Sequence, residues 1–321
     1  MIEARRLTRE FKTKTGVVQA VQGIDFTVKD GEFVAFLGPN GAGKTTTLRM
    51  LTTLLPPTSG SAWVAGYDVV SQPTAVRQQI GYIGQGNGAG HSYQVRDELI
   101  TQGRCYGMNR IDAAKRADAL LETFELGDLA RRTVSTLSGG QRRRLDIAMG
   151  LMHHPRLLFL DEPSTGMDPH NRANLWQHIL AVRERYGTTL VLTTHYLDEA
   201  DAMAERVVVI DHGRIIADDT AARLKHNLAG DRIRLTVPEA QAGRARALAS
   251  GAASEVELRA ASGTATLDLR VAQAEAALPQ LLATLYAAGI TVLTANMKQP
   301  TLDDVFLGLT GRSLREEGVR A

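Results

Sequence analysis

The stretch Gly38-Pro39-Asn40-Gly41-Ala42-Gly43-Lys44-Thr45, with Thr46 following it, decides the fold of this chain. It matches G-x-x-x-x-G-K-[ST] and stands between an apolar run at 31–37 (GEFVAFL) and a stretch of helical character at 44–55 (KTTTLRMLTTLL). A strand that turns through glycines into a helix lets successive backbone N–H groups converge on phosphate oxygens. The helix start adds its dipole and free amides. In such a loop Lys44 reaches the β- and γ-phosphates of a nucleotide, and the Thr45 hydroxyl is offered to Mg2+. A glycine-rich turn beside a solvated lysine has the same composition, but the flanking strand and helix argue against it.

Outward from this loop, 156–160 (RLLFL) and 188–194 (TTLVLTT) read as central parallel strands of an α/β domain. The first runs into Asp161 and Glu162. A strand ending in two carboxylates places Asp161 at the carboxyl edge of the sheet, where it can hold Mg2+ through water. Glu162 then sits where it can polarise an attacking water. The run 207–216 (VVVIDHGRII) reads as a hairpin. Between about 86 and 150 the pattern turns helical, as at 113–124, which suggests a helical subdomain inserted into the sheet.

Within that insertion, Leu137-Ser138-Gly139-Gly140-Gln141 sets a serine hydroxyl and a Gly-Gly backbone at the start of a helix. This is either a plain helix cap or a second anion site. The first loop already surrounds a triphosphate, so the economical reading gives the second to a nucleotide held by another subunit.

These motifs, in this order over about residues 1–220, resemble the ABC-transporter ATPase family. GPNGAGKTT is similar to its Walker A loop, LSGGQ to its signature and LLFLDEP to its Walker B strand. Ser164-Thr165-Gly166-Met167-Asp168 resembles its D-loop and Thr193-Thr194-His195 its switch histidine. The resemblance implies a P-loop NTPase fold, a mixed sheet core with the inserted helical subdomain. It also implies ATP and Mg2+ as cofactors, a head-to-tail homodimer with ATP sandwiched between subunits, and a separate membrane permease. Gln85 is then the Q-loop glutamine on Mg2+ or water, His195 contacts the γ-phosphate, and Asp168 belongs to the nucleotide-binding set. Phe11 is either the aromatic that stacks on adenine or an ordinary buried phenylalanine. Gln85 is followed by Gly86, Gly88 and Gly90, after Gly84, so a mobile segment is expected where the permease docks.

Composition agrees. With 321 residues, 44% hydrophobic and 22% charged, the chain has room for one large domain and a smaller one. Its net charge of +2 gives no reason to expect nucleic-acid binding. A single cysteine, Cys105, fits a reducing compartment. The opening MIEARRLTREF has no secretory core, and no run approaches the roughly 20 apolar residues of a membrane span. The membrane part must therefore come from another chain, with this one in the cytoplasm at the inner face of the membrane. A chromosome-maintenance ATPase would need a long coiled coil between loop and signature, and only about 90 residues without sustained heptads lie there.

A compositional shift near 227–231 divides the expected domains, 1–227 and 228–321. In the second, strands are expected at 233–237, 256–258, 264–271 and 291–293, with helices at 274–286 and 301–309. With no helix read between 237 and 256, these elements still suggest a β-α-β-β-α-β order, that of a small ferredoxin-like or related α+β domain. The tail Gln299-Pro300-Thr301-Leu302-Asp303-Asp304-Val305-Phe306-Leu307, with Thr310-Gly311-Arg312, resembles the closing segment of daunorubicin/doxorubicin-resistance exporter ATPases. Arg142-Arg143-Arg144-Leu145-Asp146-Ile147-Ala148 is similar to the same group. Export of a drug, antibiotic or lipid-like substrate is the implied function. A closing helix that only packs the small domain would fit the tail equally.

Overall fold

The computed structural model describes residues 1–14, 16–86, 88–229, 231–261, 263–298 and 300–311. Asn87 of the glycine-rich segment and Gln299 and Arg312 of the tail lie outside them. The chain divides into two compact units between Asp218 and Asp219, ahead of the compositional shift at 227.

The first unit opens with a long hairpin, β1 (Ile2–Thr13) and β2 (Gly16–Val28). Then follow β3 (Phe33–Leu37), α1 (Lys44–Leu51), β4 (Ser59–Val64), β5 (Tyr67–Asp68), α2 (Pro73–Gln79) and β6 (Ile80–Ile83). Three helices, α3 (Val95–Cys105), α4 (Arg110–Thr123) and α5 (Gly139–Gly150), separate β6 from β7 (Leu157–Asp161). The unit closes with α6 (Pro169–Tyr186), β8 (Thr189–Thr194), α7 (Leu197–Met203), β9 (Arg206–Asp211) and β10 (Arg214–Asp219). One sheet runs β2-β1-β4-β5 and the other β10-β9-β3-β8-β7-β6. In the second, β6, β7, β8, β3 and β9 are paired parallel.

Parallel strands need cover on both faces, and β3 shows why its sequence is continuously apolar. Val34 and Phe36 point into a core shared with the antiparallel sheet and α1, where Phe26 meets Phe36 edge-on at 5.2 Å. Phe33 points the other way, with its ring 6.2 Å from that of Trp176 on α6. Each such side chain, fully buried, contributes about 1.5–3 kcal/mol. The expected hairpin at 207–216 is present, its two-residue turn formed by His212 (φ 45°) and Gly213 (φ 74°). Two positive φ values make a type I′ turn, the kind whose twist matches its strands.

The helix expected to reach residue 55 stops at Leu51. Thr53 takes φ 63°, and the amides of Leu54 and Leu55 turn back to the Arg49 carbonyl at 2.9 and 3.0 Å. The turn satisfies carbonyls that the helix end leaves open.

The second unit begins with α8 (Ala221–Leu224) and a π-helical turn at Lys225–Ala229. It continues through β11 (Asp231–Pro238), α9 (Ala242–Ala249), β12 (Glu255–Ala261), β13 (Thr264–Val271), α10 (Ala274–Ala287), β14 (Thr294–Lys298) and α11 (Leu302–Thr310). The β-α-β-β-α-β order is the expected one, and the sheet runs β12-β13-β11-β14 with antiparallel neighbours. Ile233, Leu235 and Val237 alternate into a core with Leu267, Leu269, Leu281 and Leu285. On the opposite face Arg234 grips Asp268 across the strands with two bonds of 3.0 Å. The last strand lies at Thr294–Lys298, not at 291–293, because its register is set by pairing of Thr294 with Thr236. In the tail, Thr301 and Asp304 form a capping box, and Leu302, Val305 and Phe306 are buried. The helix α11 packs on residues 221–229.

In the first unit, α5 approaches β6 through two glycines. A Cβ on Gly81 would lie 2.4 Å from the Gly150 carbonyl oxygen, which is backbone and cannot swing aside. Gly81→Ala is expected to cost roughly 2 kcal/mol by overpacking and to lower the melting temperature by about 4–8 °C. A thermal scan with an unchanged midpoint would contradict this close approach.

Candidate functional site

The phosphate loop spans the end of β3 and the start of α1. Gly43 is the residue before the helix and holds φ 102°. A Cβ there would sit 2.4 Å from the Ala20 carbonyl oxygen, so only glycine brings the loop this close to β2. Lys44 is 4% exposed, and its ammonium donates to the carbonyls of Gly38 (2.7 Å) and Pro39 (3.0 Å). Burial pulls its pKa down, against the pull of Glu162 and Asp161, which favour the charged form. Asn40, Gly41, Ala42, Gly43, Lys44, Thr45 and Thr46 line a cleft of about 160 Å3 that Gln85 and Glu162 complete.

Asp161 ends β7 where that strand pairs with Thr193 of β8. Its Oδ1 accepts from the hydroxyls of Thr45 (2.9 Å) and Thr193 (2.6 Å), and its Oδ2 from Tyr82 (3.3 Å). The Gln85 amide lies 3.5 Å from the Thr45 hydroxyl. Carboxylate, hydroxyl and amide oxygens are the hard donors that suit Mg2+, so Thr45, Asp161 and Gln85 fit the ion that the loop implies.

Glu162 leaves the strand at φ 47°, an unusual conformation for a non-glycine residue. Its N–H is held there by the Thr193 carbonyl at 3.0 Å and the Thr193 hydroxyl at 3.1 Å. Its carboxylate lies 3.6 Å from the Lys44 ammonium and 3.3 Å from His195 Nδ1, and accepts from the Thr165 hydroxyl at 3.3 Å. Burial raises the pKa of this carboxyl, but His195, Lys44 and Thr165 together outweigh it and leave it below the usual carboxylate range. Glu162 is therefore ionised at neutral pH, the state a proton acceptor needs.

Ser138 caps α5. Its hydroxyl accepts from the Gln141 N–H at 3.3 Å, and the Gln141 side chain accepts from the Ser138 N–H at 3.0 Å. This capping box leaves the first-turn amides of Gly139 and Gly140 to point out of the helix end. Ser138, Gly139 and Gly140 line a second cleft of about 450 Å3 with Asp168 and Asn171, and Gln85 and Glu162 form its border with the first. Asp168 caps α6 by accepting from the Asn171 backbone N–H (3.0 Å) and side-chain amide (2.6 Å). Those bonds hold its carboxyl below the ordinary range.

Lys44, Thr45, Gln85, Asp161, Glu162 and His195 are thus brought together, and Ser138 to Gly140 line the adjoining cleft rather than that of the phosphate loop. Phe11 is not among the residues lining either cleft. It is half-buried on β1, with the Arg9 guanidinium 4.7 Å over its ring. Described residues on either side of Gln85 are held by α5. Arg143 donates to the Gly84 carbonyl at 2.7 Å, and Asp146 accepts the amides of Gly88 and Ala89, both at 3.0 Å.

Sequence reasoning also missed a buried carboxylate behind the site. Glu199 on α7 accepts from Ser164 of the D-loop, from Trp176 at 3.1 Å and from Thr194 beside His195 at 2.9 Å. Only its place four residues after His195 hinted at a role, since an acid in the first turn of a helix is commonplace.

The chain is similar to known proteins over most of its length. Residues 21–165 match the ABC transporter family, and residues 220–310 match the C-terminal domain of DrrA1-3-like ATP-binding proteins. The daunorubicin resistance ATP-binding protein DrrA3 of Streptomyces coeruleorubidus is 43% identical over 303 residues, covering 94% of each chain. The linearmycin resistance ATP-binding protein LnrL of Bacillus subtilis (strain 168) is 35% identical over 323 residues, covering 98% of this chain and all of that one (100%). Among solved structures, the ATP-binding cassette MJ0796, a dimer in a post-hydrolysis state with ADP and Pi, matches with a TM-score of 0.63. It is 25% identical and covers 68% of this chain and 98% of that chain. With the phosphate loop, the acidic strand end and the capped signature turn in place, the chain belongs to the ABC transporter ATPase family, in the group whose cassette is followed by a DrrA-like C-terminal domain.

Proposed function

We propose that this chain is the ATP-hydrolysing subunit of an exporter for a drug, antibiotic or lipid-like substrate, acting as a head-to-tail homodimer on a separate membrane subunit. The observation that carries the reading is the pair of clefts. The phosphate loop lines one and the Ser138–Gly140 turn lines the other, which gives the chain a second set of amides outside the phosphate-loop cleft. A partner's nucleotide fits that turn, and the solved cassette with ADP and Pi is itself a dimer. Relatives named for resistance to daunorubicin and linearmycin support export. Among the described residues no helix is long and apolar enough to cross a membrane, in keeping with a separate permease.

In this reading Lys44 and the loop amides bind the β- and γ-phosphates of ATP. Thr45, Asp161 and Gln85 hold Mg2+, which when bound offsets the charge that gathers on the phosphate oxygens. Glu162, ionised and held by Thr193, accepts a hydrogen bond from the attacking water, with His195 steadying the same carboxylate. Positioning and electrostatics do most of the work in such phosphoryl transfer. The two units, expected from composition as 1–227 and 228–321 and parting in the structure after Asp218, then divide the labour, with hydrolysis in the first and an accessory role in the second.

Removing one electrostatic donor from such a site costs on the order of 100- to 1000-fold in turnover. Phosphate release should show losses of that size for Lys44→Ala and Glu162→Gln. Glu162→Gln keeps its shape, so it should still bind ATP and elute as a dimer in its presence. Wild-type turnover in either variant would contradict the assignment. Export is tested by purifying the chain from detergent-solubilised membranes and identifying any membrane protein that it retains. The account expects ATPase activity stimulated by a hydrophobic drug or lipid, whereas a chain that retains no membrane protein would contradict it.

A further inference from the structure

The signature helix does more than present Ser138 to Gly140. Arg143 and Asp146 lie three residues apart on α5 and so share one face. Both are charged and nearly buried, at 8% and 5% exposed. Burial pulls the Arg143 pKa down and pushes that of Asp146 up. Arg143 Nη2 and Asp146 Oδ2 have no hydrogen-bond partner. A pair of apolar side chains would fill this place at less cost, since buried charges with incomplete partners destabilise a fold.

What the pair holds explains its presence. The Arg143 guanidinium donates through Nη1 to the Gly84 carbonyl and through Nε to the Pro163 carbonyl, both at 2.7 Å. Gly84 is the residue before Gln85, and Pro163 is the residue after Glu162. Asp146 takes the amides of Gly88 and Ala89 with a single oxygen, Oδ1. Gln85 is thus bracketed on both sides by one helix face, while its own side chain stays exposed on the border of both clefts. The helix is seated on the strand that leads to Gln85. A Cβ on Gly150 would lie 2.4 Å from Ile83 Cδ1, and one on Gly81 would lie 2.4 Å from the Gly150 carbonyl.

We propose that Arg143 and Asp146 are positioning residues that set Gln85 from the signature helix. The inference rests on the ATPase reading above. A planar fork is needed to span two carbonyls that belong to different segments, which lysine cannot reproduce.

Steady-state kinetics of the purified full-length chain test this. Arg143→Ala should lower turnover roughly 10- to 100-fold, the cost of a misplaced group. Its KM for ATP should stay within about twofold, because uniform binding is untouched. The Mg2+ concentration giving half-maximal turnover should rise. Arg143→Lys should fail to restore turnover, and Asp146→Asn, which keeps an acceptor oxygen, should outperform Asp146→Ala. Combined with Gln85→Ala, Arg143→Ala should add little to the loss, since groups acting through one another are not additive.

Wild-type turnover and Mg2+ dependence in Arg143→Ala would overturn the proposal. So would full rescue by Arg143→Lys, or losses that multiply independently with Gln85→Ala. Should Arg143→Ala fail to fold, Arg143→Lys carries the same comparison. An inactive Lys44→Ala beside an unaffected Arg143→Ala removes this inference and leaves the ATPase reading standing. A fully active Lys44→Ala removes both.

Discussion

The carboxylate of Asp161 is the point on which the site depends. It is 1% exposed, and three hydroxyls reach it: Thr45 from the phosphate loop, Thr193 from β8 and Tyr82 from β6. A buried charge without such partners would cost several kcal/mol, so the loop and both neighbouring strands are constrained to meet at the end of β7. The Thr193 hydroxyl that donates to Asp161 also accepts the Glu162 N–H. One threonine therefore links the side chain of the first acid to the backbone of the second. The turn at Glu162 then aims its carboxylate between Lys44 and His195. Strand order, loop position and the ionised acid follow from a single hydrogen-bonded cluster.

Much of this was legible along the chain because it is written in local chemistry. The phosphate loop needs glycine where Gly43 takes φ 102°, and the strand 157–161 needs apolar residues on both faces. Most of the small domain's strands and its helices α10 and α11 were readable from period-2 and helical patterning, but the short alanine-rich helix α9 between the first two strands was not. What escaped was of two kinds. Ends that depend on tertiary pairing were displaced: α1 stops at Leu51 and the last strand begins at Thr294. Polar contacts between distant segments were invisible, because a buried Glu199, Arg143 or Asp146 carries no periodic signal. The glycines after Gln85 suggested looseness, yet Asp146 holds the backbone amides of Gly88 and Ala89 in that segment.

The alternatives weighed for two motifs do not exclude one another. Ser138 is a helix cap, and the cap consumes its hydroxyl and the Gln141 amide while leaving the two glycine amides at the helix end. Capping and the proposed anion binding therefore call on different atoms of one turn. In the tail, Thr301 caps α11 and Leu302, Val305 and Phe306 pack it, so local packing accounts for much of a motif that is also shared with DrrA-like proteins. A motif can mark a subgroup and still be held in place by ordinary packing.

The central claim is that each nucleotide is completed by the signature turn of the other subunit. Mixing two inactive chains tests it most directly, one carrying Lys44→Ala and the other Ser138→Arg. A head-to-tail dimer places the intact loop of the second against the intact turn of the first, and so restores one site in each mixed dimer. Phosphate release should then recover to roughly a quarter of the wild-type rate on random pairing of the symmetric subunits. A mixture no more active than either variant alone would contradict the shared site.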